Sequence, residues 1–168
     1  METTTFGRGP MIAITALRVL VGWHFLHEGL SKLTAPAFTA AGYLKQAKGP
    51  LAGAFHSLAA SPDMLANANL ITMWGLTLVG ALLILGLFTR LASLAGIAFV
   101  LMFYLAAPPW IGYFYAIPTE GSYLIVNKNL VEVAALAVVF FTGSGLYYGL
   151  DRIVRGLIGR RPAVPAAA

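Results

Sequence analysis

The sequence predicts an all-α fold: an integral membrane four-helix bundle with a long outer connection containing short interfacial helices. Three observations point there. The first is composition: 59% of the 168 residues are hydrophobic and 10% charged, with a mean hydropathy of +0.80, which excludes an ordinary soluble domain. The second is a set of apolar runs, each close to the roughly 20 residues that a helix needs to cross hydrocarbon. The third is punctuation, because Pro, Gly and charged residues fall between those runs and seldom within them.

Residues 1–10 are polar and contain Gly7, Gly9 and Pro10, which predicts a disordered start. A membrane domain over 11–150 and a basic, mobile tail over 151–168 complete the expected organisation. The first span covers 11–33, and about 23 residues at ~1.5 Å each give about 34 Å of helix. A secretory signal peptide would need a small-residue cleavage site after the apolar core, and none follows.

Residues 34–66 are less apolar and are broken by Pro36, Gly42, Gly49, Pro50 and Pro62. Leu51, Phe55 and Leu58 recur at helical spacing, so a short amphipathic helix is expected there, ended by Ser61-Pro62. Phe38, Ala41 and Leu44 suggest another. A connection of this length is better suited to a functional cap than to an idle loop.

The second span is predicted over 69–88 and the third over 91–107, separated by Thr89-Arg90 as an antiparallel hairpin. Pro108-Pro109 stops the third, and Trp110, Tyr113, Phe114, Tyr115 and Tyr123 form an aromatic run suited to a membrane interface. A fourth span covers 124–141 and extends toward 150. With both termini inside, Arg8, Arg90, Arg152, Arg155, Arg160 and Arg161 share one side, opposite Lys45 and Lys48 in the outer connection. This bias favours cytoplasmic termini and an inner (plasma) membrane location, and it accounts for the net charge of +5 without nucleic acid.

The first span departs from its apolar character at Arg18, His24, His27, Glu28 and Lys32. A charge at mid-bilayer costs at least ~3 kcal/mol on insertion scales, so such groups face one another or a wet cavity. At about 100° per residue, His24, Glu28 and Lys32 fall within an arc of about 80°, with Arg18 about 40° beyond Lys32 and His27 about 60° to the other side. Gly22 and Gly29 on neighbouring turns allow another helix to approach closely. The fourth span runs antiparallel to the first, so its Lys128, Asn129 and Glu132 should meet the stripe in the outer half of the membrane. Asn69 and Trp110 join that level.

Charge neutralisation alone could explain part of this pattern, with Glu28 paired to Lys32 or Arg18 and Glu132 to Lys128. The number of ionisable groups at depth exceeds what packing needs and points to function. Metal binding fits poorly. His24, His27 and Glu28 supply half a ligand set, a dinuclear carboxylate bundle requires Glu-x-x-His on two helices, and His56 lies in the connection and not in a span. There is no cysteine, so thiolate ligands and disulfides are excluded and redox chemistry would need a bound or visiting cofactor. No P-loop, dinucleotide fingerprint, catalytic triad or zinc motif is present. Trp23, Trp74, Gly75, Gly80, Gly86 and the G-x-x-x-G from Gly145 to Gly149 are taken as interface and close-packing positions.

Five segments carry a resemblance. L-R-V-L-V-G-W-H-F-L-H-E-G-L-S-K-L, A-A-G-Y-L-K-Q-A-K-G-P-L-A-G-A-F-H-S-L-A, N-L-I-T-M-W-G-L-T-L-V-G, L-G-L-F-T-R-L-A and N-K-N-L-V-E occur in the order found in the DoxX/DoxD family. Over 14–141 the chain most resembles the DoxD branch, the membrane subunit of thiosulfate:quinone oxidoreductase. The resemblance implies four membrane helices acting at the quinone pool, with thiosulfate oxidised to tetrathionate. It marks Arg18, His27, Glu28, Lys32, Asn127, Lys128, Asn129 and Glu132 as family-pattern positions. The resemblance implies that enzymes of this activity work with a DoxA-type region, and none is expected in the residues after 141.

Quinone reduction takes up two protons with two electrons, so carboxylates and imidazoles near the quinone carbonyls are useful, as are cations that stabilise an oxyanion. His24, His27, Glu28 and Glu132 are therefore the expected catalytic groups, and Arg18, Lys32, Asn69, Lys128 and Asn129 the expected binding groups. Membrane quinone is the acceptor and a small sulfur anion, entering beneath 42–58, the donor. A second copy or a periplasmic subunit is the protein partner expected. The rival readings are a scaffold or carrier that grips a lipid or a partner, and a proton-coupled transporter, which would favour internal repeats or broken helices.

Overall fold

Backbone N–H and C=O groups find no water in hydrocarbon, so a chain this apolar must satisfy them within helices. In the computed structural model, which describes residues 7–116 and 124–157, seven α-helices and one 3-10 turn do so. They are α1 (Arg8–Thr34), α2 (Ala41–Lys45), α3 (Ala52–Ala60), α4 (Pro62–Leu85), α5 (Thr89–Ala106), α6 (Lys128–Thr142), the 3-10 turn (Ser144–Leu146) and α7 (Asp151–Leu157). Three of them, α1, α4 and α5, are long and apolar enough to cross a membrane. The 15-residue α6 packs against α5 and α1, but at ~1.5 Å per residue it is only about 22 Å long. Among the described residues, three candidate spans thus stand where four were expected.

Several boundaries differ from the sequence reading for local reasons. Helix α1 begins at Arg8, because Pro10 in its first turn would donate no helical hydrogen bond in any case. Pro62 opens α4, well before residue 69, and the turn to α5 falls at 86–88, ahead of Thr89-Arg90. Gly86 adopts a left-handed φ of 64°, and Leu87 N–H returns to Leu82 O at 3.0 Å, a close-out that only glycine makes without strain. The Asn127 side chain accepts from Leu130 N–H at 3.3 Å and starts α6 later than expected. Tyr123 and the tail beyond 157, with Arg160 and Arg161, lie outside the described residues.

Glycine brings α1 and α4 together. A Cβ on Gly29 would come within 2.4 Å of Thr77 N, and one on Gly80 within 2.3 Å of Leu26 N. Around this contact Phe25, Leu76, Val79, Leu83, Val100, Leu136 and Val139 form the buried core. Gly29→Val is expected to cost about 3 kcal/mol by overpacking, read as a lower thermal midpoint in detergent. Gly42→Ala, where a Cβ meets nothing within 4 Å, should leave that midpoint unchanged.

The connection packs as a cap over one end of α5. Leu44, Ala47, Phe55 and Ala106 make a second buried cluster, and Lys48 N–H bonds Ala106 O at 3.2 Å. Tyr43 donates to Phe103 O at 2.8 Å, and burial pushes its hydroxyl up to about 12, so it remains a donor throughout the physiological range. The cap also holds the loop after α5, where Ala116 N–H bonds Gln46 Oε1 at 2.8 Å.

Candidate functional site

Antiparallel packing of α1 and α6 sets the depth of the polar groups. With Asn127 capping α6, Lys128 and Glu132 lie one turn apart on the same face. Glu132 reaches α1, where His24 Nδ1 donates to its Oε1 at 2.7 Å. The Glu132 side chain is 12% exposed and that of His24 43%, so the carboxylate lies inside the seam and the imidazole at its open edge. One turn along α1, Lys32 Nζ bonds the Glu28 carboxylate and also Glu28 O. Lys32 lies 6.0 Å from the Phe38 ring. Lys128 is within electrostatic reach of both His24 and Glu28. Five ionisable groups from two helices therefore converge, as the antiparallel register required.

Four expected site residues stand elsewhere. Arg18 is six residues, or about 9 Å, further down α1 than His24. It is buried there, donating to Tyr148 O at 2.7 Å and to Ser144 Oγ at 3.4 Å. Its expected grouping with the stripe is corrected: the face was right and the depth wrong. His27 is exposed beside Trp23, with ring centroids 6.3 Å apart, because a 60° offset turns it out of the seam. Asn69 Oδ1 accepts from Ala40 N–H at 2.8 Å and so anchors the connection. Asn129 is half-buried and, among the described residues, adds no hydrogen bond to the cluster. Trp110 packs on Tyr113 at 5.8 Å, and His56 Nε2 donates to Ala47 O at 3.0 Å within the connection.

One residue with a defined structural role was missed. Asp151 falls in the stretch expected to be a mobile tail, yet its carboxylate accepts from Phe88 N–H at 2.7 Å and Thr89 N–H at 3.0 Å, closing the start of α5. The available signal was a lone carboxylate between Gly145-x-x-x-Gly149 and a run of arginines. A Cβ on Gly145 would meet Thr89 Oγ1 at 2.0 Å, so that motif does mark a close contact. An open groove of about 400 Å³ beside Tyr148, lined by Ile12, Thr15, Ala16 and Val19, belongs to this opposite end and contains no charge.

A family model described as DoxX matches residues 13–109. The match contains His24, Glu28 and Lys32 and ends before Lys128 and Glu132. No curated protein and no solved structure matches the chain.

Proposed function

The chain belongs to the DoxX family, a membrane protein family often associated with oxidoreductase-type subunits, and from that premise we propose that it is a quinone-linked oxidoreductase subunit. In this reading it is a multi-pass protein of a bacterial or archaeal inner membrane with both termini cytoplasmic. Helix α6 and the 3-10 turn after it form the fourth crossing. The observation that carries the reading is the His24–Glu132 hydrogen bond between α1 and α6, flanked by Glu28, Lys32 and Lys128.

The chemistry asks for what this cluster has. Two thiosulfate ions each give one electron and join through a new S–S bond to form tetrathionate, while quinone takes up the two electrons and two protons to become quinol. His24 engages Glu132 through Nδ1 and keeps Nε2 for a quinone carbonyl at the open edge of the seam. Glu132 holds the next proton, and Lys32 and Lys128 stabilise negative charge as it develops on oxygen. Glu28, bonded to Lys32, leads from the cluster toward the end of α1 and the outer surface. A second copy or a periplasmic subunit is the proposed protein partner.

The test uses the full chain purified in mild detergent. Organic extraction should release bound quinone, and added thiosulfate with a short-chain quinone should give quinol, followed by ultraviolet absorbance. Neither bound quinone nor quinol formation with any sulfur donor would overturn the proposal.

A further inference from the structure

At the end of the spans remote from the His24–Glu132 pair, α7 leaves the bundle with two unlike faces. At about 100° per residue, Arg152 and Arg155 lie within about 60° of each other, and Ile153 and Leu157 within about 40° on the opposite side. The apolar pair is 59% and 82% exposed, uncovered by any described part of the chain. The start of α7 is fixed to the α4–α5 turn by Leu150 N–H to Leu85 O at 3.1 Å and Asp151 N–H to Gly86 O at 2.9 Å. Leu85 and Phe88 at that turn are themselves exposed, so α7 begins at the boundary of the hydrocarbon.

We infer that α7 and the α4–α5 turn bind the headgroups of anionic phospholipids, with Ile153 and Leu157 among the acyl chains and Arg90, Arg152 and Arg155 above them. Charge complementarity carries the argument. Glu28, Asp63 and Glu132 lie toward the other end, so Asp151 is the one described carboxylate here, and its two oxygens are taken by Phe88 N–H and Thr89 N–H. Three exposed arginines thus face the membrane surface without a described acidic partner. Guanidinium forks match phosphate oxygens in geometry as well as charge. A short amphipathic helix with this arrangement lies in the interface plane. The inference is independent of the quinone reading.

The experiment reconstitutes the full chain in nanodiscs of equimolar phosphatidylglycerol and phosphatidylcholine, extracts it gently in detergent, and quantifies the lipid that stays bound by mass spectrometry. Phosphatidylglycerol should be enriched. R152Q/R155Q should lower that enrichment by about fivefold per arginine removed, and the thermal midpoint in pure phosphatidylcholine should not change. I153S/L157S, which leaves the charge intact, should lower it as well. Equal retention of the two lipids, or enrichment that survives R152Q/R155Q, would overturn the inference. So would displacement of the lipid by excess inorganic phosphate, which would indicate a site for free anions.

Discussion

Glu132→Gln is expected, under the proposed function, to slow thiosulfate-dependent quinone reduction by about 10²- to 10⁴-fold while the fold survives. The amide is nearly isosteric with the carboxylate, and its oxygen still accepts from His24 Nδ1 across the 2.7 Å contact. What disappears is the negative charge that holds His24 and the capacity to carry a proton. Quinone recovered by extraction should be unchanged, because binding at the open edge falls to His24 and the two lysines. Glu28→Gln makes the comparison sharper: Glu28 is already bonded to Lys32 and lies nearer the surface, where water can substitute, so its loss should be much milder. Equal rates for Glu132→Gln and the unaltered chain would remove the relay from the proposal.

The convergence of His24 with Glu132 was legible because two facts suffice for it. Helices α1 and α6 run antiparallel, and a carboxylate one turn into α6 lies level with residues about three turns from the end of α1. Gly22 and Gly29 were legible for a similar reason, since small residues two turns apart on one face have few other uses in an apolar helix. Arg18 was not, because angular position specifies a face and says nothing of what occupies that face at another depth. Its neighbours there, Ser144 and Tyr148, come from a segment more than a hundred residues away. His27 failed on angle, since the seam is narrower than a helical stripe suggests. Asp151 failed because a carboxylate that caps a helix 62 residues earlier in the chain leaves no local pattern. The α4–α5 turn was misplaced because polarity suggested Thr89-Arg90, whereas backbone conformation decided for Gly86.

Arg18→Ala is expected to destabilise the protein by about 3 kcal/mol or more, the sum of a large void and an orphaned carbonyl. The side chain is 2% exposed and fills the space between α1, the α4–α5 turn and the 3-10 turn; its Nη1 would lie 2.9 Å from a Cβ on Gly86. Burying a guanidinium is itself costly, so some of this loss should return when the charge is removed. Arg18→Met separates the two effects. It keeps most of the volume and removes the charge, leaving Tyr148 O and Ser144 Oγ without their donor, and should cost about 1–3 kcal/mol. Arg18→Lys keeps the charge and loses the fork that reaches two acceptors at once, so it should not restore full stability. Thermal midpoints in detergent therefore rank the unaltered chain above Arg18→Met and Arg18→Met above Arg18→Ala. Under the proposed function, the molecules that stay folded in all three variants should retain the KM for thiosulfate of the unaltered chain, because Arg18 lies about 9 Å along the helix from His24. A variant with a normal midpoint and a raised KM would return Arg18 to the binding site and show that this end of α1 meets the substrate anion.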